Sequence, residues 1–242
     1  MKVLLLAGGE GSRLFPYTTI SPKCLLPVGG RPLLMWIVEK LKAENFNDLT
    51  ILGNTRFEDQ FRHHIRVMKF LYGMGVGLVL SEDSEDLGTG GELLRAEEEG
   101  AITPDKEEPF MVYYSDILAK FNFREMAAMH FKHSPAATLA ISLRLPSEKG
   151  VVKLTGHHPS QVRTLKEKPL LMVPTWCGIG VFTPQVLQYV KKGDDLSRDV
   201  IPRALKAKQT VLAYTFQTPY LDLGSISSYR EACRMAAEGK IP

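Results

Sequence analysis

The chain has 242 residues, 44% of them hydrophobic, and carries 30 basic and 27 acidic side chains for a formal net charge of +3. That length holds one large α/β domain, or one domain with a small appendage, around a substantial core. The mild basic excess, without a basic run, argues against a nucleic-acid or membrane-surface partner. Apolar runs such as Leu33 to Val38 are too short to span a bilayer, and Gly8-Gly9-Glu10 cuts the first apolar run short of a signal-peptide layout. The three cysteines, Cys24, Cys177 and Cys233, are odd in number, far apart and without a C-x-x-C pair. This excludes a disulfide framework or zinc site and fits a reducing cytoplasm. Cys24 reads as a small packing residue rather than a nucleophile, since no histidine neighbours it and free cysteine is commonly buried.

The short apolar run that opens the chain, ahead of Gly8, predicts a buried strand of a parallel sheet. A loop follows, with glycines at 8, 9 and 11, then Arg13 and, further on, Pro22-Lys23 and Pro27. Glycines let backbone amides approach a phosphate closely. Arg13 can fork two hydrogen bonds onto phosphate oxygens and Lys23 adds a point charge. The loop is therefore a candidate polyphosphate cradle; a glycine turn with solvated cations is the alternative. It is neither a P-loop, lacking Gly-Lys, nor a dinucleotide fingerprint, since Leu14 stands where the third glycine belongs.

Pro32 to Asn45 predicts a helix with Leu33, Leu34, Ile37 and Leu41 on one face. A strand is expected at Leu49–Gly53, a helix at Phe57–Leu71 and a strand at Val76–Leu80. The adjacent His63-His64 pair cannot share a helix face, so a solvated face is favoured over joint metal ligation. Ser81 to Asp86 is acidic, and Leu87-Gly88-Thr89-Gly90-Gly91 leads to a helix from about Glu92 to Glu99. Carboxylates such as Glu82 and backbone groups near Gly88 suit a nucleobase edge. A solvated turn with Thr89 as helix cap is the alternative.

Phe110–Tyr114 predicts a strand ending at Ser115-Asp116. In an open α/β sheet ligands bind beyond the carboxyl ends of strands, where Asp116 and the glycine loop both fall. A helix near 122–133 and a strand near 136–143 follow. Glu148 to Val152 and Gln161 to Leu165 predict a hairpin. Thr175–Phe182 is a strand, Pro184–Lys192 a helix, and a second helix runs from Asp195 to about Lys208. Val211–Phe216 is a strand, and Ser228–Glu238 closes the chain as a helix. Trp176 either stacks on a ligand ring or fills the core.

Taken together, Gly8, Gly9, Gly11, Arg13, Leu14, Pro22, Lys23, Leu26, Pro27, Val28 and Pro32 resemble the signature G-G-x-G-x-R-L, P-K, L-P-V-x-x-x-P of the sugar-1-phosphate nucleotidyltransferases. Gly150-Val151-Val152, Glu167-Lys168-Pro169, Gly178 and the run Asp222-Leu223-Gly224 continue the likeness over residues 1 to about 232. The departures are Ser115 for glycine, Lys149 for tyrosine, Trp176 for asparagine and Gly180 for tyrosine.

The resemblance implies a doubly wound, mostly parallel Rossmann-like sheet with helices on both faces. It implies one domain over 1–242, with a β-rich sugar-binding lobe inserted around 140–180. It places Leu6, Ala7, Gly8, Gly9, Gly11, Ser12, Arg13, Lys23, Glu82, Gly88 and Thr89 on the nucleotide. Gly150, Glu167, Lys168 and Gly178 fall on the sugar phosphate, and Asp116 and Asp222 bind Mg²⁺. Arg13, Lys23, Asp116 and Asp222 are then the catalytic set for transfer of a nucleotidyl group from an NTP to a sugar-1-phosphate. The base-side and Leu196–Pro202 stretches look most like guanylyltransferases acting on mannose- or heptose-1-phosphate. UTP- or dTTP-dependent enzymes of glucose-type or amino sugars are the alternative. A glycosyltransferase would carry D-x-D, where this chain has Asp116-Ile117-Leu118, and a non-catalytic nucleotide-sugar sensor would not need all four catalytic residues. The family allows a homo-oligomer.

Overall fold

The structure is a computed structural model describing residues 1–82, 87–103, 108–147, 149–156, 159–218 and 220–242. Asp83 to Asp86 of the acidic stretch, and Glu148, lie outside them. The opening apolar run forms strand β1 (Val3–Leu6) in the interior of a seven-stranded sheet. The other strands are β2 (Leu49–Asn54), β3 (Val76–Ser81), β4 (Phe110–Tyr114), β5 (Ala137–Ser142), β6 (Thr175–Phe182) and β7 (Val211–Phe216). Their order is β3-β2-β1-β4-β6-β5-β7. Every pairing is parallel except those of β6, which runs antiparallel to both β4 and β5. The sheet is thus mostly parallel, as expected.

Alternation along β1 decides which layer each side chain joins. Val3 and Leu5 enter the core beneath α1 (Leu33–Ala43), α2 (Glu58–Tyr72), α4 (Phe123–His133) and α6 (Ile226–Ala237). Leu4 points to the opposite core, with Leu93 of α3 (Gly88–Glu98) and Ile201 of α5 (Ile201–Lys206). Both faces of the sheet are covered, which is why the strand reads as an unbroken apolar run.

Three helix boundaries differ from the sequence reading. Helix α3 begins at Gly88, four residues before Glu92. Glycines are weak helix formers, so 88–91 reads locally as a loop; here Gly90 N–H donates to the Asp194 carbonyl at 2.8 Å and fixes the turn. The segment from Pro184 is a short 3-10 helix of six residues ending at Tyr189, because Val190 is extended and Gly193 takes φ 84°. The helix expected from Asp195 divides into a wide turn over Leu196–Val200 and then α5. Pro202, with no backbone N–H, sits in the first turn of α5, where that N–H is not needed.

Four two-stranded pieces stand apart from the main sheet. Ile117–Ala119 pairs antiparallel with Tyr220–Asp222, and Leu145–Pro146 with Leu170–Leu171. The expected hairpin forms between Val151–Thr155 and Gln161–Lys166, and Pro27–Val28 pairs with Arg31–Pro32. No described helix is long and apolar enough to cross a membrane.

Candidate active site

The carboxyl ends of β1, β2 and β4 open onto a cleft of about 900 Å³. Because β6 runs the other way, it presents its first residues at that same edge: Thr175, Trp176, Cys177 and Gly178 line the cleft. The glycine loop Gly8 to Arg13 forms one wall, and Lys23, Asp116 and Asp222 line the cleft with it.

The short ladder beside β4 delivers both carboxylates. Asp222 is in register with Ile117, the residue after Asp116, and Leu223 N–H donates to the Asp116 carbonyl at 2.9 Å. Lys23 Nζ donates to Asp116 Oδ2 at 2.5 Å, with both side chains about one-fifth exposed. Asp222 faces the cleft, yet enclosing protein and then the charge of Asp116 raise its pKa above the usual carboxylate range. Arg13 reaches the same corner across Gly224, where a Cβ would stand 2.8 Å from Asp222 Oδ1 and 3.1 Å from Arg13 Nη2.

Ser115, which replaces a glycine of the resembled pattern, keeps the turn by donating its hydroxyl to the Leu6 carbonyl at 2.5 Å. Cys24 is buried, and that burial pushes its thiol up to about 12; it is a packing residue, as expected.

Thr89 does not cap α3. Its hydroxyl donates to Asp195 Oδ2 at 2.9 Å and accepts from Leu196 N–H at 2.8 Å and Tyr114 O–H at 3.2 Å. Asp195 in turn caps the next segment, accepting from Ser197 and Arg198 N–H at 2.8 and 2.9 Å. The neighbouring Asp194 is held below its ordinary pKa by its hydrogen-bonded ion pair with Arg203. A Cβ at Gly88 would collide with the Asp194 carbonyl, so the base-side loop lies against backbone.

Of the other expected residues, Leu6, Ala7, Gly8, Gly9, Gly11, Ser12, Gly88, Thr89 and Gly178 line the cleft. Gly178 adopts φ 78°, and a Cβ there would stand 2.8 Å from the Tyr114 ring. Glu82, Gly150, Glu167 and Lys168 are exposed and outside the lining. Gly150 and Glu167 are neighbours at the base of the hairpin, a Cβ on Gly150 falling 3.1 Å from Glu167 Oε2. Sequence reasoning missed Asn54, Glu92, Tyr114, Ser197 and Tyr220, all in the lining. Asn54 and Tyr114 end strands β2 and β4, so the strand-end rule could have found them. Trp176 packs into the fold, its ring N–H donating to Ile179 O at 2.8 Å and its ring edge-on to Tyr114, and it also lines the cleft.

Two carboxylates at the ends of adjacent strands, with the charge of Asp116 felt at Asp222, are a fitting donor pair for a hard divalent cation, which takes oxygen ligands. Among the described residues no group of three or more His, Cys, Asp or Glu could hold a metal. The pair therefore leaves coordination positions for water and substrate oxygens.

A mostly parallel sheet whose carboxyl edge gathers a glycine loop, two cations and two carboxylates defines an α/β protein that handles phosphate groups. The chain belongs to the nucleotidyl transferase family, whose model matches residues 2–239. It is 31% identical over 228 residues to a mannose-1-phosphate guanyltransferase of Aspergillus oryzae, and 29% identical over 228 residues to the enzyme of that description from Neurospora crassa. Each alignment covers 93% of this chain and 61% of the relative, so the chain spans about three-fifths of the length of these proteins. Among solved structures, HddC from Yersinia pseudotuberculosis complexed with GMP-PN shares the fold, with TM-score 0.71 at 17% identity over 96% of this chain and 98% of that one.

Proposed function

We propose that the protein transfers a nucleotidyl group from an NTP to a sugar-1-phosphate, giving an NDP-sugar and pyrophosphate. The observation that carries this reading is the convergence of Arg13, Lys23, Asp116 and Asp222 on one corner of a cleft walled by the glycine loop. The relatives named mannose-1-phosphate guanyltransferase support GTP and mannose-1-phosphate; heptose-1-phosphate is the alternative sugar phosphate in this reading.

A sugar-phosphate oxygen attacks the α-phosphorus. The new P–O bond forms as the bond between the α-phosphorus and the bridging oxygen breaks, and pyrophosphate leaves with that electron pair. The attacking oxygen is already anionic at neutral pH, so no general base is required. The barrier lies in bringing several negative charges together, which makes catalysis a matter of position and charge. Lys23 neutralises and orients the α-phosphate or the incoming phosphate, and Arg13 takes the charge of the leaving pyrophosphate. Asp116 and Asp222 would hold Mg²⁺, which supplies further positive charge at the reacting phosphates. The amides of Gly9 to Ser12 cradle the triphosphate, and the end of the cleft near Gly8 and Leu87 to Thr89 takes the base. Gly178 and the lobe around 140–180, with Gly150, Glu167 and Lys168, engage the sugar phosphate within one domain spanning 1–242. The setting is cytoplasmic.

The test is pyrophosphate release with each NTP, Mg²⁺ and a panel of sugar-1-phosphates. GTP with mannose- or heptose-1-phosphate is expected to react fastest. A faster reaction with UTP or dTTP moves the substrate assignment, and silence with every pair removes the transferase reading.

A further inference from the structure

We propose that Glu92 reads the nucleobase and selects guanine. This rests on the reading of the cleft as a nucleoside-triphosphate site and deepens it. Glu92 projects from the second turn of α3, is only 9% exposed, and lines the cleft beside Ala7, Gly8, Leu87 and Gly88. Ser81 Oγ, at the end of β3, lies 3.0 Å from Glu92 Oε1 and 3.1 Å from the Gly53 carbonyl. The carboxylate is thereby fixed to the sheet edge rather than left to swing.

Gly8 gives the second indication. A Cβ built there would collide with Glu92 Oε1 and lie 3.2 Å from Cδ. The carboxylate therefore lies directly against the backbone of the loop's first glycine, close enough that any side chain would push it away. A glycine whose open side is filled by a carboxylate places negative charge at the start of the phosphate loop, where a phosphate would be repelled. That position suits a neutral group with donors, and the part of an NTP that answers this description is the base.

The chemistry of the edges then decides among bases. A carboxylate accepts at two oxygens and donates nothing. Guanine offers two adjacent donors, N1–H and the 2-amino group, which a carboxylate accepts side by side, as it does a guanidinium fork. Uracil and thymine offer one N3–H flanked by two carbonyls that the carboxylate repels. Adenine and cytosine place a ring-nitrogen acceptor beside their amino group. Only guanine satisfies both oxygens. Glu82, the carboxylate that the sequence offered for the base, is exposed and outside the cleft lining.

The experiment measures kcat/KM and, separately, the Kd by calorimetry for GTP, ITP, UTP and dTTP with the wild-type protein and Glu92→Gln. ITP keeps N1–H but lacks the 2-amino group. Glu92→Gln keeps the shape and loses one acceptor, so GTP is expected to weaken by about ten- to a hundredfold. ITP should weaken less, and the pyrimidines should stay level or improve. Equal loss for all four nucleotides overturns the proposal, because it assigns Glu92 to loop support alone; unchanged GTP values overturn it as well. If Glu92→Gln does not fold, the wild-type GTP-to-ITP ratio decides: a clear preference for GTP supports the proposal and equal affinities overturn it. Preferential GTP binding without pyrophosphate release would remove the transferase reading while leaving the base assignment standing, so the two failures are distinct.

Discussion

Lys23 Nζ lies 2.5 Å from Asp116 Oδ2, although 93 residues separate them. The pair is partly buried, each side chain about one-fifth exposed, so desolvation offsets much of its attraction and it contributes little to stability. Its geometry instead holds a cation and an anion at the place where phosphates are expected. Lys23→Ala and Asp116→Asn should each lower pyrophosphate release by about a hundredfold or more while the thermal melt stays cooperative. Near-normal turnover in either variant would remove these residues from the chemistry.

Burial and then the charge of Asp116 raise the cost of ionising Asp222. A divalent cation would relieve that cost and so stabilise the folded state by mass action. Adding millimolar Mg²⁺ without nucleotide should raise the wild-type Tm, and the rise should vanish in Asp222→Asn. A rise that persists in that variant would place the cation elsewhere.

Gly224 is the crossing point of Arg13 and Asp222. A methyl group there must displace one or both, since it would stand 2.8 Å from one and 3.1 Å from the other. Gly224→Ala should cost about tenfold or more in kcat, because a small misplacement of a charge-stabilising group is enough. Circular dichroism should show an unchanged fold. Wild-type kcat would show that the corner tolerates the shift.

Thr89 ties the base-side helix to β4 and to the Asp195 segment through three hydrogen bonds. Thr89→Val keeps the shape and takes the partner from Asp195 Oδ2, the Leu196 N–H and the Tyr114 hydroxyl. A loss of about 1–3 kcal/mol in urea unfolding is expected, together with a higher KM for the nucleotide. A change in KM with no change in stability would mean that Thr89 acts on the ligand directly.

His130 is buried in α4, its Nδ1 3.0 Å from Thr138 Oγ1, and burial lowers its pKa from 6.5 to about 4. Between those values the unfolded chain binds a proton that the folded chain refuses, so stability rises with pH through this window and falls as the pH drops. The full difference amounts to about 3 kcal/mol. Urea unfolding of the wild type should weaken between pH 7 and pH 4.5, and His130→Asn should flatten that slope relative to its own value at pH 7. Parallel slopes would assign the acid sensitivity to other groups.

Much of this was legible in the chain. The alternation of apolar residues and the glycine punctuation give β1, α1, α2 and the order of strands and helices, because short-range packing preferences dictate them. The start of α3 was not legible: Gly88 to Gly91 have little helical preference, and the turn is set by the Asp194 carbonyl, a hundred residues away in sequence. Glu92 was hidden for the same reason, since it reads as an ordinary helix-surface glutamate until α3 is laid along the edge of β1.

The sequence by itself determined the inventory: a glycine loop, Arg13 and Lys23, and two aspartates each placed where a strand would end. Local propensity and residue chemistry suffice for the loop, the two cations and Asp116, and the resemblance to the family added Asp222. Only the tertiary structure decided that β6 runs backwards, which brings Gly178 and Trp176 to the same edge as the loop. It also decided that Ile117–Ala119 and Tyr220–Asp222 pair, setting the two aspartates side by side. Strand direction and long-range register depend on how remote segments share one core, and no local pattern in the chain records them.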